Sequence, residues 1–282
     1  MEIIRAKHSG FCFGVKRAIE MVNKVLSERG GPVYTIGPII HNPEMVRILE
    51  EKGVIPVKDV RSVKKGTVIY RTHGILKEEE EYVKEKRLRV VDATCPLVKR
   101  VRQEAMRLKK NGYKVVIVGD KNHQEVKSIL SYIENDGIVI EDPQELREKK
   151  VGIVSQTTQS REVLKKVVDR ILDGSDEVKI VNTICDAVET RLKEALRIAE
   201  IADVMVVVGG KESANTKKLF KAVKEVRKRS YHVENETELD PSWFKEIHLV
   251  GITGGTSTPD FLIDRVYEGI KKIVGGEDGR NR

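Results

Sequence analysis

Val90-Val91-Asp92-Ala93-Thr94-Cys95-Pro96 decides how this chain is read. A β-branched run ends at a cysteine, and a proline, favoured in the first turn of a helix, follows at once. The layout recurs twice: Ile180-Val181-Asn182-Thr183-Ile184-Cys185 leads into a second helix, and Ile3-Ile4-Arg5-Ala6, then Gly10-Phe11-Cys12, leads into a third. These are the only three cysteines, 83 and 90 residues apart, and each has a valine three positions later (Val15, Val98, Val188), one helical turn onward on the same face. Such spacing implies an internal repeat with one thiol per module, all three thiols meeting at a common centre.

The composition narrows the classes. With 282 residues and 39% apolar content the chain can build one large core or two to three small ones. No run approaches the roughly 20 apolar residues of a membrane span, and Met1 to Lys7 lacks the apolar centre of a signal peptide, so a soluble cytoplasmic protein with no membrane partner is expected. An odd count of three cysteines argues against a disulfide framework. The formal charge is +8, but the cations alternate with acids, as in Lys77-Glu78-Glu79-Glu80-Glu81 and Arg191-Leu192-Lys193-Glu194. That pattern reads as solvated helix faces. No basic, aromatic-rich stretch is present, which argues against nucleic acid and leaves the positive excess for a small anionic substrate.

Strands and helices alternate along the chain, which predicts parallel sheets joined by right-handed crossovers. The expected fold class is α/β: three pseudo-equivalent α/β modules with small, mainly parallel sheets, in a trefoil around a central cluster site. Module 1 spans 13–95, module 2 spans 96–181, and module 3 joins 182–274 to 1–12, with 275–282 a disordered tail. No strand follows the last helix, so Ile3 to Ala6 is expected to complete the third sheet. Ligands bind beyond the carboxyl ends of parallel strands, which is where the cysteines and the polar loops emerge.

Three thiolates without an obvious fourth protein ligand suit zinc with an open position, or a cubane iron-sulfur cluster with one iron lacking a protein ligand. His41, His73 and His123 each follow a strand, and each can donate to phosphate or bind metal. Ser213-Ala214-Asn215 and Thr253-Gly254-Gly255-Thr256-Ser257 place hydroxyl, amide and flexible backbone donors just before helices, as N-caps or as a phosphate cradle. Glu125 is the carboxylate best placed for proton transfer, with Thr157 and Thr158 arriving from the neighbouring strand.

The ordered set Gly10-Phe11-Cys12, Thr72-His73-Gly74, Asp92-Ala93-Thr94-Cys95-Pro96, Ser155-Gln156-Thr157-Thr158, Thr183-Ile184-Cys185 and Thr253-Gly254-Gly255-Thr256-Ser257 resembles the 4-hydroxy-3-methylbut-2-enyl diphosphate reductase family of the non-mevalonate isoprenoid pathway, over nearly the whole chain. The resemblance implies one 4Fe-4S cluster held by Cys12, Cys95 and Cys185, with one iron not ligated by protein. It implies that His41, His73, His123, Ser213, Asn215 and Ser257 bind the substrate diphosphate, with Ala214 contributing only its backbone N–H, and that Thr158, and Thr157 beside it, lie near the substrate hydroxyl. Glu125 is the implied proton source, isopentenyl and dimethylallyl diphosphate the implied products, and ferredoxin or flavodoxin the implied electron donor. The chain departs from the family pattern at Ala214, where a second serine is common, and at Gln124, where a proline is common and whose replacement is expected to loosen the loop. Two rival readings use the same cysteines: a 4Fe-4S dehydratase of the quinolinate synthase kind, and a non-enzymatic metal-cluster sensor.

Overall fold

The computed structural model describes residues 1–28 and 30–277. The first sheet-forming stretch, β1 (Glu2–Arg5), precedes α1 (Phe13–Ser27), β2 (Val33–Ile36), α2 (Pro43–Glu51), β3 (Val54–Val57), β4 (Thr67–Tyr70), α3 (Lys77–Glu85) and β5 (Arg89–Asp92). Then follow α4 (Pro96–Lys110), β6 (Lys114–Val118), α5 (Gln124–Tyr132), β7 (Gly137–Ile140), β8 (Lys150–Ser155), α6 (Arg161–Leu172) and β9 (Glu177–Ile180). The chain continues through α7 (Asp186–Ile201), β10 (Val204–Val208), α8 (Ala214–Val226), β11 (Ser230–Val233), β12 (Leu249–Gly254) and α9 (Asp260–Glu277).

The strands form three four-stranded sheets ordered β3-β2-β4-β5, β7-β6-β8-β9 and β1-β12-β10-β11, and every pairing is parallel. β1 pairs with β12 from Glu2 opposite Leu249 to Arg5 opposite Ile252, so the N-terminus supplies the strand that the last helix lacks. β11 carries no apolar run in Arg229-Ser230-Tyr231-His232-Val233 and was not legible as a strand. An edge position next to β10 needs only backbone partners on one side.

Parallel sheets are covered on both faces, and the alternation along each central strand shows it. In β10, Val204, Val206 and Val208 join Leu262, Ile263, Val266 and Ile270 of α9, while Met205 and Val207 join Ala195 and Ile198 of α7 and Leu219 and Val223 of α8. In β6, Val115 and Ile117 pack with α4 and α5, and Val116 and Val118 pack with Leu164, Val167 and Ile171 of α6.

The three sheets are grouped into two compact units. One comprises residues 1–16, 40–48 and the chain from Asp186 onward, with the β1-β12-β10-β11 sheet; the other comprises 17–39 and 49–185, with both remaining sheets. The sheets of the second unit are joined through α3 and α5: Ser128 Oγ donates to Ile75 O (2.7 Å), Lys77 N–H donates to Ser131 Oγ (3.0 Å), and Tyr132 OH donates to Glu80. Arg102 stacks 4.1 Å over the Tyr132 ring.

The expected tail also needs correction. α9 continues to Glu277, so 275–277 are helical, because a glycine near a helix end costs only about 1 kcal/mol and no proline interrupts the hydrogen-bond ladder. The rest of that expectation, 278–282, lies outside the described residues.

Ser128 is buried, and its hydroxyl serves the Ile75 carbonyl. Ser128→Ala should lower stability by about 1–3 kcal/mol, read as a lower urea midpoint with an unchanged slope.

Candidate functional site

Each cysteine is held by the same backbone bond. Cys95 N–H donates to Thr72 O (3.0 Å), Cys185 N–H to Thr157 O (2.8 Å) and Cys12 N–H to Thr256 O (3.0 Å). The three threonines lie just past β4, β8 and β12, and the cysteines lie beyond their edge partners β5, β9 and β1. The bond therefore extends the parallel pairing past the end of the sheet and fixes where each helix begins. All three cysteines are half-buried and in no disulfide. They stand at the starts of α1, α4 and α7, where the helix dipole favours negative charge. A soft sulfur donor in this setting suits a thiophilic metal. Val15 and Val98 are buried, whereas Val188 is half-buried.

Arginines fix the approach to two of these cysteines. Arg17 of α1 donates to Thr94 O (3.2 Å) and Asp92 O (3.4 Å), just before Cys95. Arg191 of α7, read from sequence as part of a solvated face, is only 5% exposed. Its guanidinium donates to Gly254 O (2.5 Å) and Gly10 O (2.8 Å), joining the Cys12 loop to the loop that carries Thr256 and Ser257. The alternating-charge pattern misleads here because the acceptors are main-chain carbonyls, which leave no trace in sequence. Gly10 itself has φ +89°, and a Cβ there would strike the Asp260 side chain.

Glu125 is 1% exposed in the first turn of α5. Thr157 donates to it twice, from N–H to Oε1 (2.7 Å) and from Oγ1 to Oε2 (2.7 Å). Because Thr157 O also accepts from Cys185, one residue ties the carboxylate to the thiol loop. Thr158 instead accepts from the buried Gln156 amide, Nε2 to Oγ1 at 3.0 Å, and Gln156 Oε1 is held in turn by Asp120 N–H at 3.1 Å.

His123 caps α5 through Nδ1, which accepts from Glu125 N–H at 3.2 Å, so its ring proton sits on Nε2. The His73 and His123 rings meet edge to face with centroids 5.5 Å apart. Thr72 Oγ1 donates to Ile39 O (3.1 Å) and lies 3.3 Å from His73 Nδ1, which ties the His73 ring to the loop after β4.

Gln124, expected to loosen this loop, does the reverse. Its Oε1 accepts from Arg71 Nη2 at 2.9 Å, binding the loop of His123 to the loop of His73. Burial pulls the Arg71 pKa down from its ordinary value, against a weaker upward pull from Glu79.

In the other unit, Ser257 Oγ donates to His41 O (3.1 Å), and Asn215 Nδ2 donates to Thr256 Oγ1 (3.2 Å). Ser213 caps α8 by accepting from Thr216 N–H (3.3 Å), which leaves its own proton available for donation. Ala214 is the first residue of that helix, where its N–H needs no intrahelical acceptor. Asn42, just before α2, accepts from Met45 N–H at 2.9 Å and so holds the segment next to His41.

Parallel sheets, each with a cysteine just beyond one edge strand and a polar loop beyond that strand's neighbour, define an α/β protein. The LytB protein family model matches residues 3–271, and the chain belongs to that family. A relative from Aquifex aeolicus (strain VF5) is 45% identical, covering 98% of both chains, and one from Geobacter sulfurreducens is 46% identical, covering 99% of this chain and all of the other. Both are named 4-hydroxy-3-methylbut-2-enyl diphosphate reductase. The solved structure of (E)-4-hydroxy-3-methyl-but-2-enyl diphosphate reductase, described as the terminal enzyme of the non-mevalonate pathway, is 45% identical, covers 96% of this chain and 99% of that one, and superposes with a TM-score of 0.74. The Plasmodium falciparum E-1-hydroxy-2-methyl-but-2-enyl-4-diphosphate reductase is 28% identical with a TM-score of 0.87, over 94% of this chain and 86% of that one. Membership makes this chain an oxidoreductase. No helix among the described residues is long and apolar enough to cross a membrane.

Asp92 anchors the turn before Cys95: Oδ1 accepts from Thr94 N–H (3.0 Å) and Oδ2 pairs with Lys99 (2.6 Å). Burial pushes its carboxyl upward, but the Lys99 and Thr94 bonds together outweigh that and hold it below the usual carboxylate range. A depressed folded pKa stabilises above the unfolded value of about 3.9 and ceases to do so as pH falls through the folded value. The stability difference between the unsubstituted protein and Asp92→Asn should be constant near neutrality and shrink in acid, as measured by urea unfolding across pH.

Proposed function

We propose that this protein reductively removes the hydroxyl of 4-hydroxy-3-methylbut-2-enyl diphosphate, giving isopentenyl and dimethylallyl diphosphate, in the cytoplasm. In this reading Cys12, Cys95 and Cys185 hold a 4Fe-4S cluster with one iron lacking a protein ligand. A ferredoxin or flavodoxin supplies electrons one at a time. When bound, the cluster supplies the two electrons and a Lewis-acidic position for the leaving oxygen. The observation that carries the reading is the Glu125–Thr157–Cys185 chain of hydrogen bonds, which puts a fully buried carboxyl in register with a thiol loop.

The residues divide the work by charge. His41, His73, His123, Ser213, Asn215 and Ser257 take the diphosphate, with Ala214 N–H as a further donor at the start of α8. His123, whose Nδ1 accepts from Glu125 N–H, donates from Nε2, and the His73 ring stands edge to face beside it. Glu125 moves its proton at Oε2, with the Thr157 hydroxyl as the adjacent link and Thr158 beside it near the substrate hydroxyl. The overall change consumes two electrons and two protons: one proton leaves with the hydroxyl as water, and the other ends on either end of the allylic carbon fragment, which accounts for two products. Burial of Glu125 keeps bulk water from replacing that proton path.

Protein purified without oxygen should be brown and turn over the hydroxymethylbutenyl diphosphate with a low-potential donor. Glu125→Gln should keep the colour and the iron content while turnover falls by about 100-fold or more. A colourless, zinc-loaded protein without turnover would contradict the proposal. A sensor would tolerate the substitution, and a dehydratase would need no external electrons.

A further inference from the structure

Arg71 does something that neither the cysteines nor the diphosphate donors require. Its guanidinium is half-buried, and both of its hydrogen-bond acceptors are neutral: Gly74 O, from Nε at 3.1 Å, and Gln124 Oε1, from Nη2 at 2.9 Å. Among the described residues it has no carboxylate within ion-pair distance, and Glu79 acts on it only from further away. Its Nη1 packs against a third loop, since a Cβ on Gly37, at φ +69°, would stand 2.8 Å from it. A sequestered cation with neutral neighbours is costly unless an anion completes the site. The two loops it joins carry His73 and His123, whose rings already touch.

We propose that Arg71, held by Gln124, is a positioning residue for the anionic end of the substrate. It sets the spacing of His73 and His123 and gives their loops a fixed positive charge whose counter-charge is the ligand's phosphate. The inference rests on the diphosphate reading of the two histidines. It also gives Gln124 a function of its own: where a proline would stiffen the first turn of α5 and accept nothing, the amide gives the guanidinium an acceptor.

Isothermal titration of the full-length protein with inorganic pyrophosphate tests this. Arg71→Met should raise the pyrophosphate Kd about tenfold or more, and Gln124→Met roughly threefold, because a hydrogen bond to a charged group is lost in each. The double variant should match Arg71→Met within about twofold, since both substitutions break one shared contact. Arg71→Lys should fall between, because it keeps the charge and loses the fork. In turnover the same variants should raise KM and leave kcat nearly unchanged. Gln124 is only half-buried at the first position of α5, and methionine is a good helix former of similar length, so Gln124→Met keeps the fold and a collapsed Arg71→Met protein would not hide the answer. If the unsubstituted protein binds pyrophosphate and both Met variants bind it equally well, the inference is overturned alone. If the unsubstituted protein does not bind pyrophosphate, the diphosphate reading falls and takes this inference with it.

Discussion

The cysteine amide to threonine carbonyl bond is the constraint on which the rest depends. In a parallel sheet the pairing would stop where the strands stop; here one more bond is made beyond each sheet, between Cys12 and Thr256, Cys95 and Thr72, and Cys185 and Thr157. That bond fixes the first residue of α1, α4 and α7, and so fixes which way each thiol leaves the backbone. Without it, a cysteine at a strand-to-helix junction would be one of many loop conformers. With it, the thiol position is as well defined as the sheet.

A second level of order comes from side chains that serve main-chain carbonyls. Arg17 and Arg191 hold the residues just before Cys95 and Cys12, and Thr157 spends its carbonyl on Cys185 while its N–H and hydroxyl hold Glu125. Buried polar groups arranged this way rigidify a site because leaving any of them unmade costs desolvation without return. The result is that the Glu125 carboxyl and the Cys185 loop cannot move independently.

The central strands, most helices and the three cysteine junctions were legible because β-branched runs, helical periodicity and proline at the first turn are local signals. The pairing of β1 with β12 was legible from counting, since the last helix had no strand to follow it. β11 was not, because an edge strand can be polar. Arg191 was read as solvent-facing, since alternating charges look alike whether they meet water or carbonyls. The role of Gln124 has no local signal for a similar reason: its partner, Arg71, is 53 residues away and only tertiary structure brings them together. The joining of two sheets into one compact unit rests on Ser128, Ser131 and Tyr132, whose hydroxyl partners carry no sequence pattern.

The proposed function requires that the three thiols hold a four-iron cluster with one position left for substrate. Mössbauer spectroscopy of protein reconstituted with iron-57 reads that directly. One iron site should be distinct from the other three, and its signal alone should shift when the hydroxymethylbutenyl diphosphate is added. Four equivalent irons, or a spectrum indifferent to that substrate, would contradict it.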